Sequence, residues 1–551
     1  MSEAIPAMVN GQPVLILREG TSRSRGKEAQ RGNITAANLV AESVKSSLGP
    51  MGMDKMLVDG LGDVTITNDG ATILKEMDVQ HPAAKMMVEI AKATDDEVGD
   101  GTTSVVIFAG KLLEKAQNLI DQNVHSTIIE EGYKAASEKA LEYLKEIAKK
   151  VDPEDVDMLM KVAITTMSTK MVSGYSQHLG KIAVDAIMKV AQKADKSYKI
   201  DLSDVKVDKK AGGSMEDSSL IEGIVLDKEV VHSRMPKRIK NAKIALLNAA
   251  LEIEKTEFTA KINIESPEEM KAFLDEEENM LKNMVGKVTK SGANVLVCQK
   301  GIDDVAQHFL AKAGVLAVRR ASESIIEKLS KATGAKIVVN IEGLTKNDLG
   351  HAKLVEERKM GDDKWVFVEG CKNPRALTIL IRGGTEKVLE EAERAIHDTL
   401  CVVKDIMQRP YVVAGGGAPE IEISSRLRKW AGSLSGKEQL AAIAFAEALE
   451  IVPITLAENS GLDPVDILVD LRSRHEKGKI WAGIDAIEGR VTDMSKIDVY
   501  EPLVVKEQII KAASEAASMI LRIDDVIAAS KSAGAGMPPM PPGGAGGPDM
   551  D

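Results

Sequence analysis

Cysteine is scarce in this chain of 551 residues: Cys298, Cys371 and Cys401 are widely spaced and odd in number. Such a set offers neither a disulfide framework nor a Cys-x-x-Cys metal site, and it favours a reducing intracellular compartment. The eight histidines include no His-x-x-His or His-x-x-x-His pair. The sequence therefore gives no indication of a zinc site.

Clustered positive charge and long apolar runs are also missing. The formal net charge is -12, and the one basic run, at residues 23–31, is interpreted as a solvated stretch. A nucleic-acid-binding protein usually carries a clustered basic surface. No apolar stretch approaches the ~20 residues that cross a bilayer, and the N-terminus does not have the pattern of a signal peptide. We expect a cytoplasmic protein with no nucleic-acid partner and no membrane insertion.

Aromatic residues make up only 3% of the chain, whereas aliphatic residues, Glu and Lys dominate. This composition favours amphipathic helices that pack through aliphatic side chains. Residues 33–48 show the expected helical spacing, with Asn33 as a candidate cap and Gly49-Pro50 as a stop. Further helices are predicted at 82–92 and 102–122. The short β-rich runs 56–58 and 64–67 predict a hairpin.

The sequence pattern changes between about residues 148 and 402. Here β-rich runs alternate with helical segments, at 243–249, 293–299, 335–341 and 376–382. The length suggests three or four domains at about 150 residues each. We interpret the centre as an α/β region inserted between two helical regions.

One amphipathic helix is predicted in this insertion, at 266–288. It begins with a Ser-Pro cap, acidic residues fill its first turn, and its apolar face runs from Met270 to Val288. Its pattern alone favours a surface helix packed on its own domain over an exposed interaction helix. The Gly/Pro/Met-rich tail from Gly534 is predicted to be disordered.

The motif "EVGDGTTS" (97–104) resembles a phosphate-binding loop without a lysine. Its glycines, its hydroxyls and the helix N-terminus near Thr102 all suit an anion. Asp100 would repel a phosphate unless a cation lay between them, and Mg²⁺ takes one or two protein carboxylates together with phosphate oxygens. A Gly-Asp-Gly turn that caps a helix explains the same residues, so the motif alone leaves both readings open.

Four further features are individually weak. "ITNDGATIL" (66–74) has a helix cap at Asp69, "SLGPMG" (47–52) ends a helix, and "VVAGGGAPE" (412–420) offers glycines for a close backbone approach. Asp398 lies on a helix predicted at 385–407, about 200° around it from the core residue Ile396, and therefore points away from that apolar face. Most aspartates in such positions are merely solvated.

Taken in order, these motifs and several others resemble those of group II chaperonin subunits, the archaeal thermosome and the eukaryotic cytosolic chaperonin. The others include "GQPVLILREGT" (11–21), "HPAAKMM" (81–87), "GCKNPRALTILIRGGTE" (370–386), "LAENSGLDP" (456–464) and "LRIDDVI" (521–527). The resemblance covers nearly the whole chain. The tail looks more like that of a thermosome subunit than of a eukaryotic paralogue.

The resemblance implies a multidomain, helix-rich fold. A mainly α-helical, discontinuous equatorial ATPase domain would comprise 1–147 and 404–530. A small, discontinuous α/β intermediate domain would comprise 148–215 and 367–403. An α/β apical domain would span 216–366 and carry a helical lid protrusion at about 252–275, with 531–551 as the disordered tail. This assignment reverses the preference for a packed surface helix at 266–288, because its N-terminal part would project.

The resemblance also implies site residues. Asp398 and Asp69 would be catalytic carboxylates that orient or deprotonate the attacking water, Asp100 would hold Mg²⁺, and Lys170 would sense the γ-phosphate. Residues in contact with the nucleotide would be Leu48, Gly49, Pro50, Gly70, Gly101, Thr102, Thr103, Ser104, Gly416, Asp485 and Glu501. Among these, Glu501 would contact the ribose. The usual Gly-Ile-Asn-Val near the base reads Gly-Ile-Asp-Ala at 483–486, which puts the contact of Asp485 in doubt.

The function implied is that of an ATP-dependent chaperone. Back-to-back rings of identical or paralogous subunits, eight or nine per ring, would bind non-native proteins and enclose them beneath a built-in lid. ATP or ADP and Mg²⁺ would be the cofactors, with K⁺ as a further candidate ion. The alternative is a structural or holdase assembly that uses nucleotide only to control ring or filament formation. A small-molecule kinase would need an acceptor pocket that no motif suggests.

Overall fold

The computed structural model describes residues 6–9, 12–15, 22–194, 197–253, 266–371 and 376–528. The first part of the chain is mainly helical. Its elements are β1 (Pro6–Val9), β2 (Gln12–Leu15), β3 (Ser22–Arg25), α1 (Gly26–Lys45), β4 (Lys55–Val58), β5 (Val64–Thr67), α2 (Gly70–Glu76), α3 (Pro82–Val98), α4 (Thr102–Asp121), α5 (Ser126–Ile147) and β6 (Lys149–Lys150). The predicted hairpin is confirmed, because β4 and β5 pair antiparallel.

The prediction that Asn33 caps a helix is wrong. Helix α1 begins at Gly26, and Asn33 is buried inside it. The residues after Gly26 are good helix formers, and the Gly26 N–H donates to the carbonyl of Asp524 at 2.6 Å. The helix start is therefore set partly by a contact with the far end of the chain. The helix also ends earlier than predicted, at Lys45.

The middle of the chain alternates strands with helices, as predicted. Its elements are α6 (Val156–Ser168), α7 (Ser176–Val190), β7 (Gln192–Ala194), β8 (Ser197–Lys199), β9 (Val205–Ala211), β10 (Ser219–Ile221), β11 (Gly223–Leu226), β12 (Arg238–Leu247), α8 (Pro267–Ser291), β13 (Val295–Cys298), α9 (Asp304–Lys312), β14 (Leu316–Val318), α10 (Glu323–Thr333), β15 (Ile337–Val338), β16 (Gly350–Met360), β17 (Asp363–Cys371), β18 (Leu377–Gly383) and α11 (Glu386–Gln408).

A seven-stranded mixed sheet organises the insertion. Its order is β11-β17-β16-β12-β13-β14, with β15 also paired to β12. Strands β12, β13 and β14 are parallel, and every residue of β13 is buried, as is typical of strands covered on both faces. The apolar residues around this sheet, between Ile224 and Ala376, form a core of their own. Only Ile337 and Val338 of the predicted run 335–341 are in a strand.

Helix α8 is divided by burial. Ser266 caps it by accepting from the N–H of Glu269 at 3.2 Å, as the Ser-Pro pattern predicts. Residues 267–280 are almost all exposed, and the helix packs against the insertion core from Leu281 onward. Residues 254–265 of the predicted protrusion lie outside the described residues, so the protrusion and the domain boundaries stay predictions.

The last part of the chain returns to helices. Its elements are β19 (Tyr411–Ala414), α12 (Ala418–Ala431), α13 (Lys437–Leu449), α14 (Ile451–Asn459), α15 (Pro464–Glu476), β20 (Ala482–Asp485), β21 (Arg490–Asp493), β22 (Tyr500–Pro502), α16 (Leu503–Leu521) and β23 (Asp525–Ala528). The predicted tail lies beyond the described residues.

The two helical ends form a continuous core. Helix α16 packs on α4 and α5, and β23 pairs antiparallel with β3. The flanks of the insertion also join this core: β18 pairs with β9, and α11 packs on α6 and α7. The fold class is therefore confirmed as a helix-rich, multidomain chain with an α/β insertion.

One apolar stretch is longer than the sequence analysis expected. Residues Lys437–Asn459 are by length and composition long enough to cross a membrane. However, 72% of the most apolar window is buried inside the protein, where α13 packs on α5 and α12. Most of this stretch therefore lies in the core of the protein.

Candidate functional site

A cavity of about 420 Å³ opens among the loop after α1, the start of α2, the start of α4, the end of α6 and the turn before α12. Most of the predicted site residues line it: Leu48, Gly49, Pro50, Asp69, Asp100, Gly101, Thr102, Thr103, Ser104, Lys170, Gly416, Asp485 and Glu501. Gly70 and Asp398 do not line this cavity. Residues far apart in sequence are thus brought to one place.

The start of α4 forms the floor of the cavity. Gly99 ends α3 and Gly101 precedes α4, and both take the left-handed conformation, with φ of 68° and 80°. The first N–H groups of a helix have no partner within the helix and carry the positive end of its dipole. Thr102, Thr103 and Ser104 supply these groups, so an anion fits this floor.

Gly70 contributes by letting two backbone segments approach. A Cβ at this position would lie 2.8 Å from the backbone nitrogen of Thr103 and 2.6 Å from its hydroxyl oxygen. Only glycine therefore allows the start of α2 to pack against the start of α4. In this geometry Gly70 has a structural role, and its predicted contact with the nucleotide stays a prediction.

Asp69 is held rigidly at the N-terminus of α2. Its carboxylate accepts from the Thr72 N–H at 2.8 Å and from the Thr102 hydroxyl at 2.9 Å. Burial alone would raise its pKa, but the charge of Lys170 and these hydrogen bonds outweigh burial and hold the pKa below its usual value. Asp69 is therefore an ionised carboxylate at the edge of the cavity.

Lys170 joins two carboxylates. Its Nζ lies 2.7 Å from Oδ2 of Asp398 and 3.9 Å from Oδ1 of Asp69, and all three side chains are buried. The pKa of Lys170 is raised: burial opposes this, and the charges of Asp398, Asp69 and Asp100 overcome it. The missing positive charge of the Gly-Asp-Gly loop is therefore present, on a residue 70 positions away in the chain.

Asp398 is not solvated, contrary to the most common outcome for its position on the helix. Its carboxylate is buried and faces Lys170. Burial raises its pKa well above the usual value, with Lys170 opposing the rise and Asp69 adding to it. Asp398 and Asp69 also line a second cavity of about 410 Å³, beside Asp95 and His397.

Asp100 is the one predicted metal ligand. Its Oδ1 accepts from the Gly101 N–H at 2.6 Å, and its Oδ2 is 3.3 Å from the Thr166 hydroxyl oxygen. Among the described residues, no group of three or more His, Cys, Asp or Glu could hold a metal ion. A Mg²⁺ ion held here would depend on ligand phosphate oxygens, which suits its habit of taking few protein carboxylates.

The turn before α12 forms another wall. Gly416 has a φ of 64°, and its carbonyl accepts from the Ile484 N–H at 2.9 Å. A Cβ there would lie 2.7 Å from the Ile484 carbonyl oxygen. The carboxylate of Asp485, next in β20, accepts from the Glu488 N–H at 3.1 Å. It is thus engaged within its own hairpin, and its contact with a base stays a prediction.

Sequence reasoning missed three neighbours of the site. Asn68 donates to the carbonyl of Thr169 at 2.6 Å and ties the hairpin to the loop that carries Lys170. Thr166 faces Asp100, and the buried Lys506 lines the cavity beside Glu501. A signal was available for Lys506, because it follows the apolar residues Leu503, Val504 and Val505 at the start of α16.

Comparisons with known proteins show which family the chain belongs to. Residues 40–531 match the TCP-1/cpn60 chaperonin family. A thermosome subunit alpha from Archaeoglobus fulgidus is 58% identical over 523 residues, which cover 95% of this chain and 96% of the relative. A thermosome subunit from Pyrococcus horikoshii is 58% identical over 525 residues, with the same two coverages of 95% and 96%.

A solved structure is also similar. It is the open-state monomer of a group II chaperonin from Methanococcoides burtonii, with a TM-score of 0.60 and 44% sequence identity. The match covers 77% of this chain and 100% of that one. The resemblance seen in the sequence motifs is confirmed, and the chain belongs to the TCP-1/cpn60 chaperonin family as a group II chaperonin subunit.

Proposed function

We propose that this chaperonin-family protein hydrolyses ATP in the 420 Å³ cavity and couples hydrolysis to the enclosure of non-native proteins. One observation carries the proposal. Lys170 stands 2.7 Å from Asp398 and 3.9 Å from Asp69, beside a helix N-terminus suited to phosphate. A cation and two buried carboxylates next to an anion cradle are what phosphoryl transfer to water requires.

The residues take distinct roles in this proposal. The start of α4 and the loop 48–50 would bind the nucleotide, and Glu501 would contact its ribose. Asp100 would hold Mg²⁺, which neutralises phosphate charge when bound. Asp398 and Asp69 would orient the attacking water or accept its proton. A K⁺ ion remains a further candidate.

Asp398 and Lys170 lie on the flanks of the insertion, whereas Asp69 lies in the first helical part. The catalytic group is therefore complete only when these parts of the chain are packed together. This dependence would make closure and hydrolysis one event. Rings of identical or paralogous subunits, eight or nine per ring and stacked in pairs, would enclose the client beneath the lid protrusion in the cytoplasm.

The test is Asp398→Ala, with Glu386→Ala as a control that removes an exposed carboxylate from the same helix. We expect ATP turnover to fall by about 10²–10⁴-fold, the usual contribution of a general base. ATP-dependent refolding of a denatured client should be lost with it, and the control should match the wild type. Normal turnover and refolding in Asp398→Ala would show that the catalytic role is wrong.

The same assay separates the alternative function. A structural or holdase assembly would suppress aggregation of the client equally in the wild type and in Asp398→Ala, with no refolding that depends on ATP hydrolysis. The intact group of Lys170, Asp398 and Asp69 favours the hydrolysing machine, because an assembly-only protein has no need of three buried charges at this position.

A further inference from the structure

A second buried lysine lines the same cavity. Lys506 in α16 is 5% exposed, and its Nζ lies 2.8 Å from Oε1 of Glu420 and 2.7 Å from Oε2 of Glu501. Glu420 belongs to α12 and Glu501 to β22. Of these three residues, Glu501 and Lys506 reach the cavity wall, and Glu420 stands behind them.

The three charges do not balance. One ammonium is shared by two carboxylates, and Oε2 of Glu420 has no hydrogen-bond partner among the described residues. Burial raises the pKa of Glu501, the charge of Glu420 adds to the rise, and Lys506 opposes it. The lysine is thus the group that favours the ionised form of the carboxylate at the cavity wall.

The chemistry of an ionised carboxylate restricts what it can contact. It accepts hydrogen bonds and donates none, and it repels phosphate. The neutral donors of ATP are the amino group of adenine and the ribose hydroxyls, and only the ribose presents two donor atoms side by side, through its 2′- and 3′-hydroxyls. Both carboxylate oxygens can then accept at once, and hydrogen bonds to a charged acceptor are roughly twice as strong as neutral ones.

We infer that Lys506 is a specificity-determining residue, which holds the Glu501 carboxylate in place through their ion pair so that the site prefers a ribonucleotide to a 2′-deoxyribonucleotide. This inference rests on the proposed binding of ATP and assigns a determinant for its sugar. Lys506 acts as a positioning residue through Glu501 and has no required contact with the nucleotide. Glu420 anchors the lysine from behind.

The experiment measures the dissociation constants of ATP and 2′-deoxy-ATP for the assembled protein, by calorimetry under conditions that block turnover. The wild type should prefer ATP by about 10-fold or more, the value of one hydrogen bond to a charged group. Lys506→Met should bring the ratio close to one. Lys506→Arg retains the cation and should keep the preference. Lys511→Met removes an exposed lysine from the same helix and serves as the control.

Glu501→Gln covers the case in which Lys506→Met does not fold, because it keeps the shape of the side chain and removes its charge. It should also bring the ratio close to one. The ratio is informative because general loosening of the site would weaken both nucleotides equally.

The outcomes separate the two proposals. Failure of the wild type to bind either nucleotide overturns the proposed function and this inference with it. Binding by the wild type with an unchanged ratio in Glu501→Gln, or equal losses for both nucleotides in Lys506→Met, overturns the inference alone.

Discussion

Two buried lysines stand at the same cavity, and each lies between two carboxylates. Lys506 contacts Glu420 and Glu501 at 2.8 Å and 2.7 Å, so it is shared almost equally. Lys170 is 2.7 Å from Asp398 but 3.9 Å from Asp69, so it is bound closely on one side only. The cavity therefore has two lysines that each lie between two carboxylates, one at nearly equal distances from both and one close to a single carboxylate.

The difference follows from where the partners lie in the chain. Lys506, Glu420 and Glu501 all come from the last helical part of the chain, between α12 and α16. Lys170 and Asp398 come from the two flanks of the insertion, and Asp69 comes from the start of α2. Removing one partner of a buried ion pair leaves an uncompensated charge, which is costly. The group around Lys170 therefore favours the packed arrangement of the flanks against the helical part, whereas the group around Lys506 lies within one part of the chain.

The largest effect is expected from the replacement of Lys170, the lysine that is close to only one of its two carboxylates. In Lys170→Met we expect the ATP turnover number to fall by about 10²–10³-fold, the usual result of removing one preorganised group that stabilises developing charge. The affinity for ATP should change little. Steady-state kcat and KM of Lys170→Met and Lys506→Met should be measured side by side. Lys170→Met should mainly lower kcat, whereas Lys506→Met should mainly raise KM. If both variants changed kcat and KM in the same way, the two lysines would not have different roles.

A smaller effect is expected from the glycine turn before α12, which lines the same cavity. In Gly416→Ala the new Cβ would lie 2.7 Å from the carbonyl oxygen of Ile484, on a backbone with φ of 64°. We expect a loss of stability of about 2–4 kcal/mol, from the left-handed conformation and the overpacking together. Thermal or urea unfolding measures it.

Gly334→Ala is the matched control for this variant. Its φ is 76°, and no atom lies within 4 Å of the added Cβ. Its cost should be about 1 kcal/mol, from the conformation alone. An equal loss in the two variants would mean that the contact with Ile484 does not constrain the wall of the cavity.

The smallest effect is expected at Asp405, a buried carboxylate whose lysine partner stands farther away than those of Asp398 and Glu501. Asp405 Oδ1 is 3.4 Å from the Nζ of Lys404, and its Oδ2 has no hydrogen-bond partner among the described residues. Burial raises its pKa from 3.8 to about 6. The folded state therefore holds a proton that the unfolded state has lost, so stability declines as the pH rises from about 4 to 6 and stays lower above that range.

Asp405→Asn should remove this decline. We expect the variant to be more stable than the wild type by about 1–3 kcal/mol at pH 7, since each unit of pKa shift is worth about 1.4 kcal/mol. The two proteins should have similar stability below pH 4. Unfolding curves at several pH values measure this, and a variant less stable than the wild type at pH 7 would show that Lys404 compensates the carboxylate after all.

Local features of the fold and of the site were predictable because short stretches of sequence specify them. The hairpin β4–β5, the caps at Asp69 and Ser266 and the glycines around α4 each depend on neighbouring residues only. Motifs of this kind, in their order, also identified the family. The start of α1 was not predictable in the same way, because its first N–H bonds to a residue almost 500 positions later.

Burial of charge was the least predictable property. The helical spacing predicted that Asp398 lies away from the apolar face of α11. It did not show that another element covers that side. Lys506 was overlooked for a related reason, since a lysine in an apolar helix has no visible partner until α12 and β22 are folded beside it.

The sequence by itself determined the alternation of helices and strands, the left-handed glycines and the types of residue available for phosphate, metal and water. Backbone preferences and apolar periodicity act over a few residues, so they can be read along the chain. Only the tertiary structure decided that a lysine from the insertion compensates the loop that lacks one, and that a second lysine stands beside Glu501. Electrostatic interactions act through space between groups removed from water, and which groups those are is settled only when the whole chain has packed.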